Sequence, residues 1–172
     1  MGRSGKITKI NLELLNKYQV RYDWCTIFVG VKLGFLKFPS ITDYAILVMG
    51  ESDYESDDLI NDLAWEINEE NLNYFLSKIN EKYCNIDVED KKWEKELRRL
   101  RYCALSYLHD TIDDKSELLK AISLLYDTLN YPEDMVSFID YMPPTKTDES
   151  LSPHDNLLKN FNDFMEKERE FL

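Results

Sequence analysis

From Ser56 onward, apolar residues return every three or four positions, and no stretch alternates every second position long enough to make a strand. That spacing constrains the fold more than any other feature. A stripe at helical period must be buried, and with no sheet available only other helices can cover it. Leu59, Leu63 and Ile67 recur at four-residue intervals, with Trp65 off their line, and Leu72, Phe75, Leu76, Ile79 and Tyr83 form a broader stripe. Trp93, Leu97, Leu100, Ala104, Tyr107 and Leu108 line one side of a long helix whose other side is expected to carry Arg98, Arg99 and Arg101. Asp114 or Ser116 opens the next helix, with Leu118, Leu119, Ile122, Leu125, Tyr126 and Leu129 inward. Pro132 fits the first turn of a short helix holding Met135, Phe138 and Ile139, and Pro153 starts a terminal helix with Leu157, Leu158, Phe161, Phe164 and Met165 facing in.

The first fifty residues are less regular. Thr8 is expected to cap a short helix in which Ile10, Leu14 and Tyr18 share a face. Asp23 starts a second helix, with Trp24, Ile27, Phe28 and Val31 inward and Gly34 as its stop. Ser40 with Asp43 three residues on suits the start of a third, covering Tyr44 to Met49. The run Gly30 to Leu36 also reads as a strand, because β-branched and aromatic residues compete with the helical spacing. The expectation is an all-α chain: one domain over residues 1–172, a multi-helix bundle or irregular helical stack of about 7–9 helices, with a loop at 143–152 before the terminal helix.

Composition supports a real core. The chain has 172 residues and is 44% apolar and 13% aromatic, enough to bury roughly 70% of its extended surface. The N-terminus, Met1 to Lys6, is polar, and Leu12, Leu14 and Leu15 alternate with polar residues, so no signal peptide or membrane span is read. Cys25, Cys84 and Cys103 are scattered and odd in number, which fits a reducing compartment; a cytoplasmic protein is expected.

The formal charge is -12, and it is unevenly spread. Residues 1–50 are net +4, whereas residues 51–90 hold 13 acids against two lysines. The overall sign argues against a binder that neutralises nucleic-acid phosphates, and Arg98, Arg99 and Arg101, the best basic patch, sit among Glu94 and Glu96. The acidic belt suits a solvated face or a basic protein partner drawn in by charge. Tyr54 and Trp65 fall inside it and off the core stripes, as interface anchors do. The expected partner-binding residues are therefore Asp53, Tyr54, Glu55, Asp57, Asp58, Asp62, Trp65 and Glu66. Tyr131 and Tyr141 also fall off the core stripes and are read either as further interface aromatics or as packing under the Pro132 and Pro143 turns with their hydroxyls at the surface.

Catalytic signatures are thin. Asp53, Glu55 and Asp57 resemble the start of a calcium loop, but Asp58 stands where the turn needs glycine and Ala64 where a bidentate glutamate belongs. Glu66, Glu69 and Glu70 are carboxylates that nothing marks as buried. Neither His109 nor His154 completes a Glu-x-x-His pattern, and Cys103 and His109 point apart on their helix. Five glycines, at 2, 5, 30, 34 and 50, leave no material for a phosphate-cradling loop. No catalytic residue, metal or cofactor is expected.

The stretch Tyr131-Pro132-Glu133-Asp134-Met135-Val136-Ser137-Phe138-Ile139-Asp140-Tyr141-Met142-Pro143 is more specific. With Trp24-Cys25, the segment Gly30 to Leu36 and the Leu157-Leu158 helix, it resembles a family of small bacterial proteins known as domain of unknown function 2247, over most of the chain. The resemblance implies a cytoplasmic immunity protein, made beside a secreted toxin and blocking it by direct binding, and it brings no catalytic residues to carry over. The expected function is non-catalytic binding of a protein, such as a basic toxin domain, through the acidic surface. A helical scaffold or adaptor with another protein partner is the alternative, and a small enzyme the remaining one.

Overall fold

Polar side chains set where most of the helices begin. Asp23 accepts from the backbone N–H of Cys25 and of Thr26, while the Thr26 hydroxyl accepts from the Asp23 N–H, a reciprocal cap that starts α2 (Trp24–Leu33). Asn11, rather than Thr8, starts α1 (Leu12–Lys17) by accepting from Leu14 N–H. The buried residue of α1 is Leu15, because Ile10 lies before the cap, where its N–H bonds Phe35 O. Pro39 at the first helical position starts α3 (Pro39–Val48), so Ser40 lies buried inside the helix and caps nothing. Asp57 caps α4 (Asp58–Trp65), Asp114 caps α7 (Lys115–Thr128), and Ser152 with Pro153 opens α8 (Pro153–Phe171). Between them lie α5 (Leu72–Ile79), running into a π turn at Asn80–Cys84, and the long α6 (Lys91–Thr111). Short 3₁₀ turns cover Ser52–Tyr54 and Glu133–Phe138.

The computed structural model describes residues 8–144 and 147–172. The polar segment Met1–Lys6, and Thr145 and Lys146 within the 143–152 loop, lie outside the described residues. The protein is all-α, with eight α-helices and no strand among the described residues. The Gly30–Leu36 run resolves as the end of α2 and a turn. Gly34 takes the left-handed conformation, φ 86°, that stops the helix, and Leu36 N–H returns to Gly30 O.

The chain divides into two compact units, Lys9–Leu100 and Arg101–Leu172, the second also taking in Thr8; the boundary falls within α6. In Lys9–Leu100, α3 packs on α4, with the Thr42 hydroxyl donating to Leu63 O, and α2 packs on α5 and the π turn. Leu15, Ile27, Phe35, Ile41, Leu63 and Ile79 form the centre of its core. In Arg101–Leu172, α8 packs on α7 and on the Glu133–Phe138 turn, around Leu105, Ile122, Met135, Phe138, Ile139 and Phe161. Each such side chain contributes about 1.5–3 kcal/mol by leaving water.

Arg99 and Arg101 do not occupy a solvated outer face: both are buried. In the first unit, Arg99 donates to Glu96 Oε1 at 3.1 Å and the Thr26 hydroxyl donates to Glu96 Oε2 at 2.6 Å. In the second, Arg101 donates through Nη1 and Nη2 to both oxygens of Asp134, at 2.9 and 2.8 Å, and through Nη2 to Glu168 at 3.0 Å. Its guanidinium also lies 5.0 Å from the Phe164 ring centre. A planar fork matched by carboxylates can be buried where an unmatched charge cannot, and periodicity alone does not register that exception.

Candidate functional site

The acidic segment leaves α3 through Gly50 and the 3₁₀ turn Ser52–Tyr54, then reverses at Ser56, whose φ of 69° is left-handed. Asp57 follows, and its carboxylate is fully committed. One oxygen caps Leu59 N–H and takes Lys82 Nζ at 2.6 Å; the other accepts the Tyr83 hydroxyl at 2.6 Å. Burial pushes the Asp57 carboxyl up, but donation from Lys82 and Tyr83 outweighs it and holds the group below its ordinary value. The same bond, after burial, pushes the Tyr83 phenol up.

Tyr54 is likewise tied inward. It meets Tyr83 edge-on, Tyr83 stacks flat on Trp24 with ring centres 5.2 Å apart, and Trp24 meets the edge of Tyr44. Tyr54 is the outer member of this aromatic row and is half-buried, and burial raises its phenol. Of the eight residues read as a binding set, Asp57 and Tyr54 thus serve the fold. Asp53, Glu55, Asp58 and Glu66 are exposed and Asp62 is half-buried.

Trp65 stands apart. It is the last residue of α4 and is 74% exposed, with Asp62 one turn before it and Glu66 next to it. Exposing an indole forgoes the burial that drives folding, so its position calls for a use beyond the core. A second exposed aromatic, Tyr74 on α5, is 60% exposed and was missed by the sequence reading. Its signal was available: with Phe75, Leu76 and Ile79 inward, residue 74 lies off the stripe. Leu59, Asp62, Tyr74, Lys78, Glu81 and Lys82 line an open hollow of about 410 Å³ between α4 and α5. Both lysines of the segment are engaged there, Lys82 with Asp57 and Lys78 with Glu81.

Cys103 is fully buried, and burial pushes its thiol up to about 12. His109 stacks on Phe161. A cavity of about 300 Å³ in the second unit is lined by Asp140, Met142, Leu157 and Asn160 among others. Two of its polar groups are bonded within the fold: Asp140 accepts the Ser123 hydroxyl and Asn160 donates to Ser137 O. Among the described residues, no three His, Cys, Asp or Glu side chains are grouped to hold a metal ion, and no helix is long and apolar enough to cross a membrane. The Tyr131 to Pro143 stretch also serves the fold, since Met135, Phe138 and Ile139 are buried and Asp134 receives Arg101. Tyr131 and Tyr141 both pack against Tyr126, and the Tyr141 hydroxyl donates to Asp127.

Residues 12–169 match a family model described as an uncharacterized protein conserved in bacteria (DUF2247). No curated protein and no solved structure matches the chain.

Proposed function

The chain belongs to the DUF2247 family of bacterial proteins, and on that premise we propose that it is a non-catalytic protein that binds another protein through the exposed part of its acidic segment. The partner is basic, and the mode is that of an immunity protein: the surface covers a cognate toxin domain in the cytoplasm and keeps it from its substrate. Trp65 carries this reading. A 74% exposed indole between Asp62 and Glu66 combines an aromatic anchor with carboxylates that steer a cationic partner. Residues 51–90 supply the field, at net -11.

The test uses the partner recovered from the cell's own lysate on the immobilised chain. Asp57 is left intact because it caps α4. The triple variant Asp58→Lys, Asp62→Lys, Glu66→Lys is expected to slow association by about tenfold or more at low salt and less at high salt, while Trp65→Ala speeds dissociation. A folded triple variant that associates at the wild-type rate at every ionic strength would overturn the reading.

A further inference from the structure

Two cysteines far apart in sequence meet in the first unit. Cys25 is the second residue of the ten-residue α2, half-exposed, with its N–H held by the Asp23 cap at 2.8 Å. It therefore sits at the positive end of a helix, where a thiolate is favoured. Cys84 is buried and is the last residue of the π turn. That turn inserts one residue into the helical ladder, closing with Asn85 N–H on Asn80 O, and the Asn80 side chain clamps it by bonding both the N–H and the C=O of Ile86. The flat stack of Trp24 on Tyr83 aligns the two segments one residue earlier. As a result the Cys25 thiol donates to Tyr83 O at 3.9 Å, which brings Cys25 beside the next residue of that segment, Cys84.

The two thiols are unequal. The neighbouring Cys84 side chain holds the Cys25 thiol below its ordinary value, against burial, Asp23 and Glu96 and with help from Lys92. The neighbouring Cys25, with burial, pushes the Cys84 thiol up. Cys25 is the half-buried member of the pair and Cys84 the buried one beside it, the arrangement of an attacking and a resolving cysteine.

We propose that Cys25 and Cys84 form a dithiol that a hydroperoxide converts to a disulfide. The Cys25 thiolate attacks one peroxide oxygen: an S–O bond forms, the O–O bond breaks, and the departing alkoxide or hydroxide takes a proton. This leaves a sulfenic acid on Cys25 and an alcohol, or water. Cys84 then attacks the Cys25 sulfur, the S–O bond breaks, and the leaving hydroxide takes the Cys84 proton as water. Two thiols are oxidised by two electrons and the hydroperoxide is reduced by two. The cross-link ties the start of α2 to the π turn and fixes the Trp24–Tyr83 stack, whose Tyr83 hydroxyl holds the Asp57 cap of α4. The proposal stands independently of the binding function.

The experiment treats the reduced full-length chain with one equivalent of hydrogen peroxide, alkylates the remaining thiols, and follows intact mass and mapped peptides. Wild type is expected to lose the mass of two hydrogens, to yield one intramolecular Cys25–Cys84 cross-linked peptide, and to keep Cys103 alkylatable. In Cys25→Ser, oxidation of Cys84 slows by about tenfold or more, as expected when the accessible thiolate is removed. In Cys84→Ser, Cys25 accumulates as a sulfenic acid trapped by dimedone and no disulfide appears; circular dichroism confirms that each variant is folded. Wild-type protein in which Cys84 stays alkylatable while Cys25 proceeds to sulfinic acid would overturn the proposal. So would a cross-link that contains Cys103 or joins two chains.

Discussion

Arg101 is 2% exposed and is held by Asp134 and Glu168 on two different segments of its unit, so one guanidinium links α6, the Glu133–Phe138 turn and α8. Removing one partner of such a group costs more than the pair itself is worth, because a buried carboxylate loses its cation. Arg101→Ala is therefore expected to lower unfolding free energy by about 3–5 kcal/mol in urea denaturation, and Arg101→Met with Glu168→Met to recover most of that loss. A double variant no more stable than Arg101→Ala would show that packing along the arginine stem, and not the charge, is what matters. Asp57 gives the pH counterpart. Its folded-state pKa is depressed by Lys82 and Tyr83 in spite of burial, so its stabilisation is fully present above the unfolded value of about 4 and is lost as pH falls through the folded value. Asp57→Asn, which keeps a capping oxygen, should be less stable than wild type at neutral pH, with the difference shrinking below about pH 4 in urea midpoints.

At the scale of elements, close packing at α2 decides what the turn after it can be. A Cβ on Gly30 would stand 2.6 Å from Leu36 Cδ1 and 3.1 Å from Leu100 Cδ2, whereas one on Gly50 would meet nothing within 4 Å. Gly30→Ala is expected to cost about 1–3 kcal/mol in chemical denaturation, and Gly50→Ala to be neutral or slightly stabilising. Equal effects at the two sites would contradict the packing account. Helix starts and stops such as Asp23, Gly34, Asp114 and Pro153 were legible in the sequence because each acts through its own backbone neighbourhood. Thr8 misled because a tertiary contact competes with local capping, Ile10 N–H being drawn to Phe35 O, and Ser40 because the preceding Pro39 already starts α3. The π turn was hidden, since the spacing of Leu76, Ile79 and Tyr83 runs on as if the helix were regular; only the asparagines at 80 and 85 hint at it. The burial of Arg99 and Arg101 could not be read either, because it depends on partners such as Thr26 and Glu168 that lie far away in sequence.

At the scale of the whole molecule the charge is polarised: the first fifty residues are net +4 and the next forty net -11. Where the acids lie, and that Trp65 lies off the core stripe, could be read directly. That Asp57 and Tyr54 are spent on the fold could not, because Lys82 and Tyr83 reach them from a turn that the periodicity conceals. What remains exposed is a smaller set, Trp65 with Asp53, Glu55, Asp58 and Glu66, beside the half-buried Asp62. The most direct measurement places a photo-crosslinking amino acid at position 65, and separately at the exposed Leu124 of α7 as a control, in the cell that makes the protein. The account predicts a covalent adduct from position 65 with one basic protein, absent from position 124 and lost when Asp58 and Asp62 are changed to lysine. Adducts from position 124 alone, or an adduct at 65 that survives the charge reversal undiminished, would contradict it.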